Sequence, residues 1–293
     1  MKLYAPKYYK NFVCIADKCK HSCCIGWEID IDNKTLDKYN SLSSSYADYI
    51  RNSIKGEESP YFELGRDRRC PHLNECGLCN IILNIGENYL CDICREHPRF
   101  YNFTNMGKEL GLGMSCEEAC RLILNSDDFD ELIVIDNIDG EADICEFDAT
   151  VQRNKIYEIL KQDTIFSNKL ERIINSYNIA LNEEGIKVCL SSLEYLNKSN
   201  KALFGNFSLD ASFVNIENEL TRALAYFIYR HCSEALDHEE FCASLFFAIV
   251  CTYLVASISN SDNIIERART VSEEIEYSEE NTQEIISLYT ELI

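Results

Sequence analysis

Eleven cysteines fall within the first 125 residues, and their spacing is the first chemistry this chain offers. Four open the set as Cys14-x4-Cys19-x3-Cys23-Cys24. After a long gap come Cys70, Cys76, Cys79, Cys91 and Cys94, then Cys116 and Cys120. Thiolates are soft ligands suited to zinc or iron–sulfur, and one tetrahedral centre takes four of them. Eleven exceed a single four-ligand centre, so either two centres form or several cysteines are bystanders. Cys76-x2-Cys79 and Cys91-x2-Cys94 are spaced like a compact zinc ribbon. The adjacent pair Cys23-Cys24 is less usual in zinc fingers, because neighbouring side chains point apart. A radical-type C-x3-C-x2-C loop is absent, since the cysteine after Cys19-x3-Cys23 is adjacent. The spacing calls for a metal without choosing it.

Disulfides are the competing use of so many cysteines. The opening Met1-Lys2-Leu3-Tyr4-Ala5-Pro6-Lys7 leads into polar and aromatic residues with no apolar export segment. A cytoplasmic location is therefore expected, where thiols stay reduced and available to metals.

Two segments near these cysteines carry further chemistry. Ser115-Cys116-Glu117-Glu118 reads as a capping box opening a helix through Asn125. That places Cys116 in the first turn, where the helix dipole favours a thiolate, and Cys120 one turn on. Cys120, like Cys145, Cys189, Cys232, Cys242 and Cys251, also suits the role of a small buried apolar residue. In Cys94-Arg95-Glu96-His97-Pro98-Arg99 the two arginines can bind a carboxylate or offset thiolate charge, and Pro98 ends any preceding helix. His21, His72 and His97 read as surface or hydrogen-bonded histidines ahead of ligands.

The elements that must position these residues divide by composition near residue 125. Residues 1–125 hold 16 basic and 17 acidic residues; residues 126–293 hold 12 and 32, a net charge of −20 out of −21 for the chain. The expected fold is mainly α, with an irregular Cys-rich metal-binding N-terminal domain over 1–125 and an acidic α-helical bundle over 126–293. Helical stripes run through Asn154–Ile174 and Gly185–Leu196, and helices are expected over Ile216–Ala235, Phe241–Ile258 and Thr282–Ile293. Phe241–Ile258 carries no charge and has the length to cross a membrane, but its polar residues and acidic flanks fit a buried bundle helix better, with Asp237 and Glu240 as its capping box. No membrane partner is expected. The acid of the second half repels phosphates, which argues against nucleic acid; it either attracts a basic partner or solvates helix faces. No P-loop, Gly-rich dinucleotide fingerprint, nucleophile elbow or H-E-x-x-H helix is present, and Gly111-Leu112-Gly113 is too slight for a cofactor loop.

Taken together, several motifs in order resemble one family. They are Pro6-Lys7-Tyr8-Tyr9-Lys10-Asn11-Phe12-Val13-Cys14-Ile15, Cys19, Cys23-Cys24-Ile25-Gly26-Trp27 and Ile29-Asp30-Ile31-Asp32 with Thr35 and Tyr39. Cys70-Pro71-His72-Leu73, Gly77-Leu78-Cys79, Gly86-Glu87-Asn88-Tyr89-Leu90-Cys91, Cys94-Arg95, Pro98-Arg99 and Ser115-Cys116-Glu117-Glu118-Ala119 with Arg121-Leu122-Ile123-Leu124 follow. Over residues 4–125 the chain resembles the flagellin lysine-N-methylases, and its cysteines resemble a broader zinc- or iron-chelating class. Two positions depart from the family pattern: Glu117 stands where proline is usual, and His97 where tyrosine is common. The resemblance implies methyl transfer from S-adenosylmethionine to lysine ε-amines of flagellin or another lysine-bearing protein, with a [4Fe–4S] cluster. By position the cluster candidates are Cys14, Cys19, Cys23, Cys24, Cys70, Cys79, Cys94 and Cys116; Cys91 is intermediate, and Cys76 and Cys120 fall outside the pattern. Trp27, Arg95, Arg99 and Ser115 become the candidates for holding the cosubstrate, and Tyr8, Tyr9, Asp30 and Asp32 for accepting a proton. The alternatives are a zinc or iron module with a helical protein-docking domain and no catalysis, or an electron carrier.

Overall fold

Strand β1 (Lys2–Pro6) pairs with strands formed a hundred or more residues later in the chain. In the computed structural model, which describes residues 1–142, 144–259 and 261–292, the chain forms two compact units. One is Val13–Pro98; the other joins Met1–Phe12 to the chain from Arg99 onward. Composition divides the chain where charge changes, near 125, whereas this division follows packing.

The Val13–Pro98 unit is built from short pieces: β2 (Ile29–Asp30), α1 (Asn33–Ser41), α2 (Ala47–Ser53), β3 (Ile54–Lys55), β4 (Tyr61–Phe62), α3 (Asn80–Ile85) and α4 (Asp92–Glu96). Its sheet has the order β2-β4-β3, antiparallel throughout. Asp32 caps α1 by accepting the Thr35 N–H at 2.9 Å, and its other oxygen takes the Asp92 N–H at the start of α4, also at 2.9 Å. One carboxylate thus ties two helices together. Ile29, Ile31, Tyr39, Ile50, Phe62 and Ile81 form the core, and Cys70 and Cys91 belong to it. Elements this short bury little apolar surface, so the thiols make up a sizeable part of what holds the unit.

In the second unit the sheet order is β5-β6-β1-β7, with β5 (Arg99–Thr104), β6 (Gly107–Leu112) and β7 (Leu132–Asn137). β5 and β6 form a hairpin, β6 runs parallel to β1, and β7 runs antiparallel to it. Gly111 faces Phe100 across the hairpin, and a Cβ there would lie 2.1 Å from the Phe100 ring. The aromatic ring therefore lies where only glycine leaves room for it.

Helices α5 (Glu117–Leu124), α6 (Ala149–Leu160), α7 (Phe166–Tyr177), α8 (Glu183–Ser192), α9 (Asn200–Phe204), α10 (Glu217–His231), α11 (His238–Ser257), α12 (Ile264–Val271) and α13 (Glu279–Leu292) complete this unit. A π-helical turn, Ser272–Glu276, follows α12. The chain is mainly α, with seven strands among the described residues that apolar periodicity did not foresee. α11 has the length and composition of a membrane span, but its side chains from Phe241 to Val255 are buried apart from Ser244, against the rest of the unit. Asp237 caps it as expected, accepting the Glu240 N–H at 2.9 Å; Glu240 in turn accepts from Leu236 N, one residue ahead of the cap.

The stripe through Asn154–Ile174 is two helices. The chain turns at Lys161–Ile165 without glycine or proline, closed by bonds from Gln162 N to Ile159 O and Thr164 N to Gln162 O. Both helices turn apolar faces to one core, so the stripe continued through a break that spacing alone could not reveal.

A buried ion pair joins sheet to helices. Arg153 on α6 donates to both oxygens of Glu109 on β6, at 2.6 and 2.7 Å, and to Ser233 Oγ at 2.7 Å. The two side chains are 1% and 0% exposed. Removing one partner strands a buried charge, so Arg153→Met is expected to cost ~3–5 kcal/mol in denaturant unfolding. The double variant E109L/R153M is expected to regain most of that loss. Gly111→Ala is expected to cost ~1–3 kcal/mol by driving a methyl group into Phe100.

Candidate metal centre

Two segments far apart in sequence are stitched together to bring the first thiols close. Cys70 N donates to Cys24 O at 2.8 Å, Gly26 N to Arg68 O at 2.8 Å, and Ile25 bridges Arg69. Ser22 Oγ accepts the Cys24 N–H at 3.3 Å, fixing the turn that carries the cysteine pair. A second turn prepares Cys79: Asn74 Oδ1 accepts from Cys76 N and Leu78 N, both at 2.9 Å, with Gly77 at a positive φ. Cys79 then precedes α3 as its cap residue, and Cys91 precedes α4 in the same way, with Cys94 one turn further on.

These arrangements gather Cys24, Cys70, Cys79, Cys91 and Cys94 around one core. The thiols act on one another. Burial pushes Cys70 up to about 12, with the neighbouring Cys24 and Cys79 adding to it. Cys79 is raised by burial and by Cys24 and Cys91. Cys94 is driven far up by its hydrogen bond with Cys91, by burial and by charge on Cys91, Cys24 and Cys70. The hydrogen bond from the Cys23 thiol outweighs burial and brings Cys24 down to about 7, helped by Ser22 and Arg69. Cys91 is lowered by its bond with Cys94. Five thiols in one core cannot all ionise unless a cation joins them.

All sixteen cysteines are free, so no disulfide competes for these thiols. In donor type the set fits a soft metal or an iron–sulfur cluster. Among the described residues, no three His, Cys, Asp or Glu side chains are drawn together as a formed ion site.

Of the eight cysteines expected as ligands, the core takes in Cys24, Cys70, Cys79 and Cys94. Cys14 and Cys23 are exposed and Cys19 is partly exposed. Cys116 belongs to the other unit, where it packs against the larger core. Cys91, intermediate by resemblance, is fully buried beside Cys94, and the C-x2-C spacing was the signal for it. Tyr39 lies 3.6 Å from Cys91 Sγ while donating to Tyr89 O at 2.6 Å, a neighbour that no spacing rule points to.

His72 is not a free ligand. Ser53 Oγ donates to Ile50 O at 2.6 Å and so accepts from Nε2 at 3.0 Å, leaving Nδ1 to accept from the Tyr46 hydroxyl at 2.7 Å. Burial lowers the imidazole to about 4, which keeps it neutral.

The capping box expected at Ser115 is absent. Cys116 itself occupies the cap position rather than the first turn, and no side chain caps the helix. Glu118 is engaged with Arg121, at 2.6 and 2.7 Å, in place of reaching back. Ser115 Oγ is buried outside hydrogen-bonding geometry but near Tyr277, whose phenol is raised by burial, with Arg230 and Ser115 working against the rise. The other cosubstrate candidates divide between the units. Trp27 is partly exposed, and Arg95 pairs with Asp92 and Glu96 while donating to Leu90 O at 3.1 Å. In the second unit Arg99 donates to Tyr9 Oη at 2.9 Å and lies over the Tyr9 and Phe12 rings.

Compared with known proteins, the chain is 29% identical over 133 residues to a lysine-N-methylase of Salmonella choleraesuis and to one of Salmonella typhimurium. Each match takes in 42% of this chain and 32% of the relative, so the chain spans about a third of the length of these relatives. The flagellar biosynthetic protein FliU of Salmonella muenchen matches at the same identity, over 77% of its length. No family model and no solved structure matches.

Exposure orders the reactivity of the thiols apart from Cys24, whose lowered pKa adds to its own. In the metal-free reduced chain, a neutral alkylating reagent is expected to modify Cys14, Cys23 and Cys76 first, and Cys70 and Cys91 only on unfolding. Peptide mapping by mass spectrometry checks this; early modification of Cys91 would refute the packing described.

Proposed function

We propose that the chain is a protein-lysine N-methyltransferase that moves a methyl group from S-adenosylmethionine to ε-amines of flagellin or another lysine-bearing protein. The observation that carries this reading is the likeness to the two Salmonella lysine-N-methylases. The likeness to FliU supports a flagellar substrate. The thiol-rich core supports a [4Fe–4S] cluster in the N-terminal part, held by four of Cys14, Cys19, Cys23, Cys24, Cys70, Cys79, Cys94 and Cys116, with Cys91 added to the candidates by its position. Zinc is the alternative occupant, and the cytoplasm the proposed location.

In the reaction the lysine nitrogen forms a bond to the methyl carbon as the carbon–sulfur bond breaks, leaving S-adenosylhomocysteine and releasing one proton from nitrogen. Lysine ordinarily titrates near 10.4, so the site must desolvate the ammonium or offer it a base. In-line alignment of the amine behind the methyl group supplies much of the acceleration. Held by three of the candidate cysteines in place of four, the cluster would leave one iron open to take the amino and carboxylate groups of the cosubstrate; held by four, it would be structural. Among the proton-acceptor candidates, Asp32 is committed to two backbone N–H groups and Tyr9 to Arg99, and Tyr8 is buried with its phenol raised by burial. Asp30 is exposed on β2 and is the one the proposal retains.

The full chain, purified without oxygen, is expected to transfer labelled methyl groups from S-adenosylmethionine to lysines of flagellin, located by peptide mass spectrometry. Asp30→Asn is expected to lower kcat at neutral pH with little change in KM for the cosubstrate. Absence of transfer by an intact, metal-loaded chain to flagellin or to any lysine-rich protein offered would overturn the reading and favour a binding module.

A further inference from the structure

In the unit that holds Cys116, a buried hydrogen-bond chain runs from the π-helical turn to the backbone just ahead of that cysteine. The Glu276 carboxylate, with its side chain 0% exposed, accepts from His231 Nε2 at 2.6 Å and from the Tyr226 hydroxyl at 3.1 Å to either oxygen. Arg230 Nε lies 3.5 Å away. Burial alone would push this carboxyl up, but Arg230 and His231 outweigh it and hold the group below its usual range.

Tyr226 links that carboxylate to the turn. Its oxygen accepts the Met114 N–H at 3.1 Å and the Arg230 Nη1 proton at 2.9 Å. A phenol has one proton to donate and two lone pairs to accept with. Both lone pairs are taken, so the proton goes to Glu276, which as a carboxylate only accepts. The hydroxyl is thereby left one orientation, the one that receives Met114 N–H. Met114 leads into Ser115 and the cap residue Cys116, whose N–H returns to Gly113 O at 3.3 Å.

Arg230 is itself confined, its guanidinium lying over the rings of Phe100 (4.9 Å) and Tyr277 (5.2 Å). Phe100 in turn covers Gly111 at the end of β6. Two restraints that meet at Arg230 therefore converge on the short stretch from Gly111 to Cys116. A π-helical turn is an uncommon feature in helical proteins and frequently marks a functional position; here it supplies the buried carboxylate.

We propose that Glu276 and Tyr226 are positioning residues for the Gly113–Cys116 turn: they set the backbone that presents the Ser115 hydroxyl and the Cys116 thiol. What those two groups then do rests on the methyltransferase reading; the positioning itself does not. The acidic helices accordingly take a direct part in shaping a motif that sequence resemblance assigns to the cosubstrate and metal.

Native-state hydrogen exchange on the full chain tests this without any methyl-transfer assay. In the unsubstituted chain the Met114 amide is expected to exchange as slowly as the interior of α10. In Tyr226→Phe and in Glu276→Gln it is expected to exchange about tenfold faster or more, the loss of one buried bond, while the Cys120 amide inside α5 keeps its protection. The alkylation rate of Cys116, read against Cys14 in the same sample, is expected to change in both variants. Fast exchange of Met114 in the unsubstituted chain would overturn the proposal even if neither variant folded. So would unchanged Met114 exchange in a folded variant, or an increase spread evenly over α5 and α10.

Discussion

The bond from Cys70 N to Cys24 O holds the thiol-bearing unit to its shape. It joins the turn after Ser22 to the segment after Gly65, and with its neighbours at Gly26 and Ile25 it sets two cysteines side by side that are far apart in sequence. Once they are fixed, the turn at Asn74 and the starts of α3 and α4 bring Cys79, Cys91 and Cys94 into the same core. The consequence is electrostatic. Thiols taken out of water and set near one another raise each other's cost of ionising, so most of them stay protonated unless a cation is shared. Protonated, those thiols are part of the unit's packing.

The larger unit solves its own buried-charge problems with protein partners. Arg153 is matched to Glu109 and Ser233; Glu276 is matched to Tyr226, His231 and Arg230. Buried charge is costly unless paired and hydrogen-bonded, and both networks pair their charges, Arg153 through its two terminal nitrogens while its Nε is left without a hydrogen bond. The difference between the units is instructive: charges in the second are paired by side chains, while the core thiols of the first are set by burial and by one another, with Arg69 helping to lower Cys24. That contrast is what supports proposing a metal in the first unit.

What the sequence made legible was local. The cap at Asp237, the long apolar helix after it and the helical character of the acidic half follow from neighbouring residues, and they stand in the structure. The break at Lys161–Ile165 was hidden because two helices share one core face. The capping box at Ser115 failed because the chain enters α5 one residue later, with Glu118 drawn to Arg121. The strands were missed because β2, β3 and β4 are two residues each and β1 pairs with strands a hundred or more residues later in the chain. At the candidate centre, cysteine spacing raised the expectation of a thiol-bound metal but could not separate Cys24 and Cys70 from the exposed Cys14 and Cys23, since that choice depends on pairing across the gap between residues 24 and 70. Tyr226 and Glu276 lie far from any motif and became visible only as a three-dimensional chain of bonds.

The most direct test of the thiol core is the iron and acid-labile sulfide content of the full chain purified without oxygen, compared with Cys24→Ser, Cys70→Ser and, as a control, Cys189→Ser. Near-equal iron and sulfide in the unsubstituted chain and in Cys189→Ser, with loss of both in Cys24→Ser and Cys70→Ser, is the predicted result. Retention of both in folded Cys24→Ser and Cys70→Ser, or a chain that binds zinc in place of iron, would contradict an iron–sulfur centre built on this core.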